Sequence, residues 1–155
     1  MNKIAIIIED MRLGGPQKQL IYFLKQVIKN KTNNKYLIIA PRNSKKKISK
    51  FLNLKKIEIK EFNIQYLSIY SLLNYLRFFL RDFIELKICL KKIEKVYIAG
   101  GSSNLKSLLI SAFLKKKIYL HIHDVKSNFL IRFIFLILSK FIKKIFFESK
   151  CSKDY

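Results

Sequence analysis

Apolar residues along the chain fall into two spacings. Six short β-branched runs read as strands: KIAIIIE at 3–9, YLIIA at 36–40, IEIKEF at 57–62, KVYIA at 95–99, KIYLHIH at 117–123 and KKIFFE at 143–148. The first of these shows no alternation of apolar and polar positions, as expected of a parallel strand covered on both faces. Helical spacing separates the runs. Leu20, Leu24, Val27 and Ile28 share one face of a first helix, which Pro16 suits near its start and Asn30–Asn34 ends. A short Lys-rich helix is expected at 44–53. Over 69–90, Leu72, Leu76, Phe79, Phe83, Leu86 and Leu90 recur every three or four residues and predict one long amphipathic helix. Helices are also expected at 104–114, after a polar turn and cap at Gly100–Ser103, and at 127–142, where the apolar residues run nearly all round.

Strand and helix alternate six times, which predicts an α/β, doubly wound, Rossmann-like domain with a parallel sheet, helices on both faces and right-handed crossovers. The 155 residues suit a single domain spanning 1–155, with a core large enough to fold. Half the residues are hydrophobic, which excludes disorder. In such a sheet, ligands bind beyond the carboxyl ends of the strands, so the turns after the strands are where chemistry is expected.

Charge adds a second theme. Thirty-two Lys and Arg against ten Asp and Glu leave a formal charge of +22, which favours an anionic partner: nucleic acid, acidic lipid or a sugar nucleotide. The excess of Lys, Ile, Asn and Phe is equally what A/T-rich codons supply, so coding bias is the bland explanation. No helix-turn-helix, zinc finger or RNP-like motif occurs, and the aromatics follow core spacing, so nucleic acid is disfavoured. Cys89 and Cys151 fit no metal spacing and point to a reducing compartment. The N-terminal apolar run ends at Glu9–Asp10 without a cleavage site, so no signal peptide is expected. The stretch at 128–142 is shorter than the roughly 20 residues of a membrane span and contains Arg132 and Lys140. It reads either as a core helix or as an apolar face lying on a membrane, flanked by Lys126, Arg132, Lys140, Lys143 and Lys144.

Four polar turns follow strands. Gly14 and Gly15 let backbone approach a ligand, and the helix that follows offers unpaired N–H groups to a phosphate or hydroxyl; an ordinary strand-to-helix turn would look the same. Neither the dinucleotide nor the P-loop glycine motif is present. Gly100–Gly101–Ser102–Ser103 forms the second turn, His121–Ile122–His123–Asp124 the third and Glu148–Ser149 the fourth. His121 and His123 point the same way by strand alternation, and His123, nearer the strand end, reaches the cleft more easily. It could bind a hydroxyl or move a proton there; alternatively the two histidines are a structural pair held by Asp124. Zinc lacks an evident third ligand.

The segments IAIIIEDMRLGGPQKQL, VYIAGGSSN and IYLHIHD, the last followed by an apolar helix and IFFESK, together resemble the N-terminal, acceptor-side domain of GT-B glycosyltransferases of the family 4 group, over nearly the whole chain. The resemblance implies a hexosyl transfer that retains configuration, in a cleft between this domain and a second Rossmann-like domain holding the nucleotide-sugar. It places Gly14 and Gly15 beside donor phosphates and acceptor, Gln17 and Lys18 among the substrate-binding residues, and His123 at the reaction centre. Gly101, Ser102, Asp124 and Ser149 would line the substrate cleft. It implies no cofactor and no metal, with the nucleotide-sugar as co-substrate and a sugar or lipid-linked molecule as acceptor. The donor domain lies outside these residues, so the chain is expected to be a truncated product or one subunit of a split enzyme, inactive without a donor-domain partner. Its expected place is surface polysaccharide or glycolipid assembly, peripheral on the cytoplasmic face of the cell membrane. The alternative from another class is a non-enzymatic basic module that binds anionic membrane or nucleic acid.

Overall fold

A computed structural model describes residues 3–8, 15–29, 34–50, 57–62, 72–100, 104–122 and 129–147. The six expected strands form: β1 (Lys3–Ile8), β2 (Lys35–Pro41), β3 (Ile57–Phe62), β4 (Lys95–Ala99), β5 (Lys117–Ile122) and β6 (Ile142–Phe147). They make one parallel sheet in the order β3-β2-β1-β4-β5-β6. The helices are α1 (Gly15–Lys29), α2 (Lys45–Ser49), α3 (Leu72–Arg77), α4 (Phe79–Leu90), α5 (Leu105–Phe113) and α6 (Phe129–Ser139). The doubly wound, Rossmann-like architecture expected from the alternation is therefore the one observed.

Strand alternation divides the core in two. Ala5, Ile7, Leu37, Ile39, Val96 and Ile98 face one side, where Leu86 and Leu90 of α4, Leu108 and Ile110 of α5 and Leu138 of α6 cover them. Ile6, Ile8, Ile38 and Ala40 face the other side, under Leu20, Ile21 and Leu24 of α1 and Ile48 of α2. Both faces of the central strands are thus apolar, which is why their sequences do not alternate. Each fully buried Ile or Leu contributes about 1.5–3 kcal/mol relative to exposure.

The region 69–90 departs from the expected single helix. The helix is interrupted at Phe78, so that α3 and α4 are separate elements. Its buried face also differs: Asp82, Leu86 and Leu90 are buried, Phe79 and Phe83 half-buried, and Leu76 exposed. Asp82 is held by Lys106 of α5, Oδ2 to Nζ 2.5 Å, with both side chains fully buried. The Lys106 ammonium also sits 5.9 Å from the centre of the Phe79 ring, a cation–π contact that fixes the start of α4 against α5. Burial pushes the Asp82 carboxyl above its ordinary value, against the pull of Lys106.

Candidate functional site

The strand order reverses direction between β1 and β4, so the chain leaves these two neighbours toward opposite faces of the sheet and opens a crevice at their carboxyl ends. Ile8 and Ala99 are partners in the ladder, which brings the two strand ends level. The start of α1 at Gly15, and Gly100 with Asn104 before α5, therefore lie at the same end of the sheet.

On the β1 side, α1 begins at Gly15 and carries Pro16, Gln17 and Lys18 in its first turn. Pro16 has no N–H to leave unpaired, and the first turn holds no acidic residue that would offset the positive end of the helix dipole. Lys18 is exposed. This helix end is electrostatically suited to an anionic group.

On the β4 side the turn is built around Gly100 and Asn104. The Gly100 N–H donates to the His121 carbonyl at 3.2 Å, prolonging the pairing of β4 and β5 by one residue. Gly100 has φ +146°, and a Cβ there would collide with Nδ2 of Asn104. Glycine is thus required by both backbone and space. The buried Asn104 precedes α5, its carbonyl accepting the first helical bond from Leu108 N–H at 3.1 Å. Its side-chain Nδ2 turns back and donates to the Ala99 carbonyl at 3.1 Å, closing the turn. The residue at the helix cap is accordingly Asn104, one position beyond the Gly100–Ser103 turn to which the sequence pattern assigned it.

Of the histidine pair, His121 lies within β5 and is half-buried. Its Nδ1 shares a 2.7 Å hydrogen bond with the Tyr97 hydroxyl, and both rings contact Phe146 with centroids 6.3–6.4 Å apart. An irregularity in the β5–β6 ladder between Ile118 and Tyr119 makes this possible by placing Phe146 opposite His121. Burial raises the Tyr97 hydroxyl to about 12, so it remains protonated across the physiological range. This cluster braces the sheet next to the crevice and directs β5 toward it. Tyr97→Phe removes one neutral hydrogen bond and is expected to cost about 1 kcal/mol in urea unfolding, with the fold kept.

Gly14, Gly101, Ser102, His123, Asp124 and Ser149 lie outside the described residues. Gly15, Gln17 and Lys18 fall in α1 at the crevice. Among the described residues no group of three or more His, Cys, Asp or Glu side chains gathers into a metal site. Gly100 and Asn104 are the residues the sequence pattern undervalued: the glycine pair was visible, but the contact requiring its first member depends on a side chain four residues later.

No protein-family profile and no curated protein sequence matches the chain. Solved structures do. MurG from Acinetobacter baumannii superposes with a TM-score of 0.64 at 15% identity, over 94% of this chain and 40% of that one. Anabaena HepE in complex with UDP and glucose gives 0.66 at 16%, over 99% and 40%. UDP-GlcNAc 2-epimerase from Methanocaldococcus jannaschii gives 0.62 at 17%, over 98% and 41%. The chain thus spans about two fifths of the length of these proteins. What they share with it is a fold: a Rossmann-like α/β domain matching one half of a GT-B fold.

Proposed function

We propose that the chain is the acceptor-binding, N-terminal half of a retaining, nucleotide-sugar-dependent glycosyltransferase of the family 4 group. The observation that carries this reading is the crevice between β1 and β4, bordered by the N-terminus of α1 and the Gly100–Asn104 turn, in a domain whose structural neighbours include HepE bound to UDP and glucose. In this reading Gly14, Gly15, Gln17 and Lys18 border donor phosphates and acceptor. Gly101, Ser102, Asp124 and Ser149 line the acceptor side, and His123, one residue beyond the end of β5, stands at the transferred sugar. The other half of the cleft comes from a donor domain, either a separate subunit or a part of the gene beyond residue 155. The nucleotide-sugar is a co-substrate, and neither metal nor cofactor is required. Catalysis then rests on holding donor and acceptor in register and on fixed dipoles aimed at the departing diphosphate. The acceptor belongs to surface polysaccharide or glycolipid assembly, and the protein works peripherally on the cytoplasmic face of the cell membrane.

The test begins with the DNA downstream of the codon for Tyr155, searched in all frames for a donor domain with two Glu about eight residues apart, the spacing expected from the family resemblance. Co-expressed with that domain, the chain should transfer sugar from a nucleotide-sugar, and His123→Ala should lower the rate by about a hundredfold, as expected for loss of an acid–base or positioning group. If no such domain exists and no nucleotide-sugar supports transfer, the enzyme reading fails. A non-enzymatic basic module on anionic membrane, favoured by the +22 charge, then takes its place.

A further inference from the structure

The helices α4, α5 and α6 cover the same face of the sheet, with α5 in contact with both others. Their outer surface is unusually apolar. Along α3 and α4, Leu73 (83% exposed), Leu76 (59%), Leu80 (73%), Ile84 (57%) and Ile88 (69%) succeed one another at three- and four-residue steps. Within each helix that spacing keeps neighbouring residues on one side, and their exposure marks it as the side turned away from the core. Phe113 projects from α5, and Phe133 and Leu136 from α6.

The surroundings of the stripe are cationic. Arg77, Arg81, Lys87 and Lys91 are exposed between or beside its members. The acids of this stretch are already engaged: Glu85 pairs with Arg81 at 3.0 Å, and Asp82 is buried against Lys106. Lys87 extends over the Phe113 ring, 5.8 Å from its centre, joining the basic border of α4 to the apolar surface of α5. An aliphatic stripe bordered by cations that outnumber the acids beside it is complementary to a surface that is apolar at depth and anionic above, which describes the interface of an acidic bilayer. Among the described residues no helix is long and apolar enough to cross a membrane, so the geometry fits a surface that lies on the bilayer.

We propose that the α3–α4 stripe, Leu73 to Ile88 with its flanking Arg and Lys, is the element that docks this domain onto anionic phospholipid. It deepens the peripheral location proposed above and is independent of whether sugar is transferred. It places the main contact on α3–α4, whereas the sequence pattern offers the helix at 127–142 as either a core helix or a membrane face. The α6 residues extend the same face.

Vesicle co-sedimentation of the full chain tests this. Vesicles of equal parts phosphatidylglycerol and phosphatidylcholine should bind the protein, high salt should weaken binding by screening, and pure phosphatidylcholine should bind it poorly. Leu80→Gln/Ile84→Gln, at exposed positions, should weaken binding by roughly tenfold with an unchanged circular dichroism spectrum. Arg77→Gln/Lys87→Gln should reduce the preference for anionic over neutral vesicles while leaving the apolar stripe intact. The proposal is overturned if the wild-type chain does not sediment with anionic vesicles, or if the stripe variant binds as the wild type does. It is also overturned if ultracentrifugation shows a dimer that the stripe variant dissociates without change in vesicle binding, because the stripe would then serve a second copy of the chain. Sugar transfer to a soluble acceptor, measured separately, reports on the enzymatic reading alone.

Discussion

Lys106→Met is expected to destabilise the domain by about 3–5 kcal/mol, the cost of breaking a buried ion pair by removing one partner. The Lys106 ammonium and the Asp82 carboxylate are fully buried, 2.5 Å apart, between α5 and α4. Oδ1 of Asp82 has no hydrogen-bond partner among the described residues. Removing the ammonium leaves that buried carboxyl without its hydrogen-bonded counter-charge. Burial already raises the Asp82 pKa above its ordinary 3.8, and loss of Lys106 removes the main influence pulling it down. In the variant the native state therefore holds the Asp82 proton more tightly than the unfolded chain does. Its stability is then greatest below about 3.8 and falls as pH rises through the raised native value. The defect should be smaller at acid pH than at neutral pH when both proteins are unfolded in urea. Asp82→Leu combined with Lys106→Met should recover most of the loss, since an apolar pair of similar volume has no charge to desolvate. If the double variant is as unstable as Lys106→Met alone, the deficit arises from lost packing of the long side chain and the ion pair is not its cause.

This pair also marks the boundary of what sequence pattern conveys. The strands were legible because each is a short β-branched run between turn residues, and a parallel sheet buried on both faces leaves few polar residues to confuse the reading. The helices α1, α5 and α6 were placed within a few residues for the complementary reason. The region 69–90 was harder because Leu, Ile and Phe are so abundant that more than one helical face carries them. Periodicity then identifies a helix without deciding which side faces the core. Asp82 and Lys106 are 24 residues apart, and neither is recognisable as buried until α4 and α5 lie side by side. The same applies to Tyr97 and His121, whose hydrogen bond follows from β4 and β5 being neighbours. The crevice itself was legible, as turns after parallel strands, while the strand order that makes β1 and β4 its borders was not.

Gly100→Val is expected to cost about 2–4 kcal/mol and to disturb the crevice directly. Two separate effects contribute. The φ of +146° is one that side-chain-bearing residues adopt only under strain, costing about 1–3 kcal/mol, and a β-branched residue has the least freedom to relieve it. In addition, Cβ would strike Asn104 Nδ2 and push that side chain off the Ala99 carbonyl, so the buried bond closing the turn into α5 is lost, for about 1 kcal/mol more. A double-mutant cycle with Asn104→Ala separates them. Asn104→Ala alone loses the bond to the Ala99 carbonyl. In the Gly100→Val/Asn104→Ala protein the collision has gone and only the backbone strain is added, so the two losses should sum to less than their separate values by about 1 kcal/mol. Strict additivity would mean that the valine side chain finds room without moving Asn104 and that strain accounts for the whole effect. The Gly100 N–H also ties this turn to the His121 carbonyl, so a valine that shifts the turn draws on the end of β5, immediately before His123. A preparation that remains folded at low temperature but has lost sugar transfer in the presence of a donor domain would locate the function of this turn in the crevice, whereas retained transfer would confine Gly100 to a role in stability.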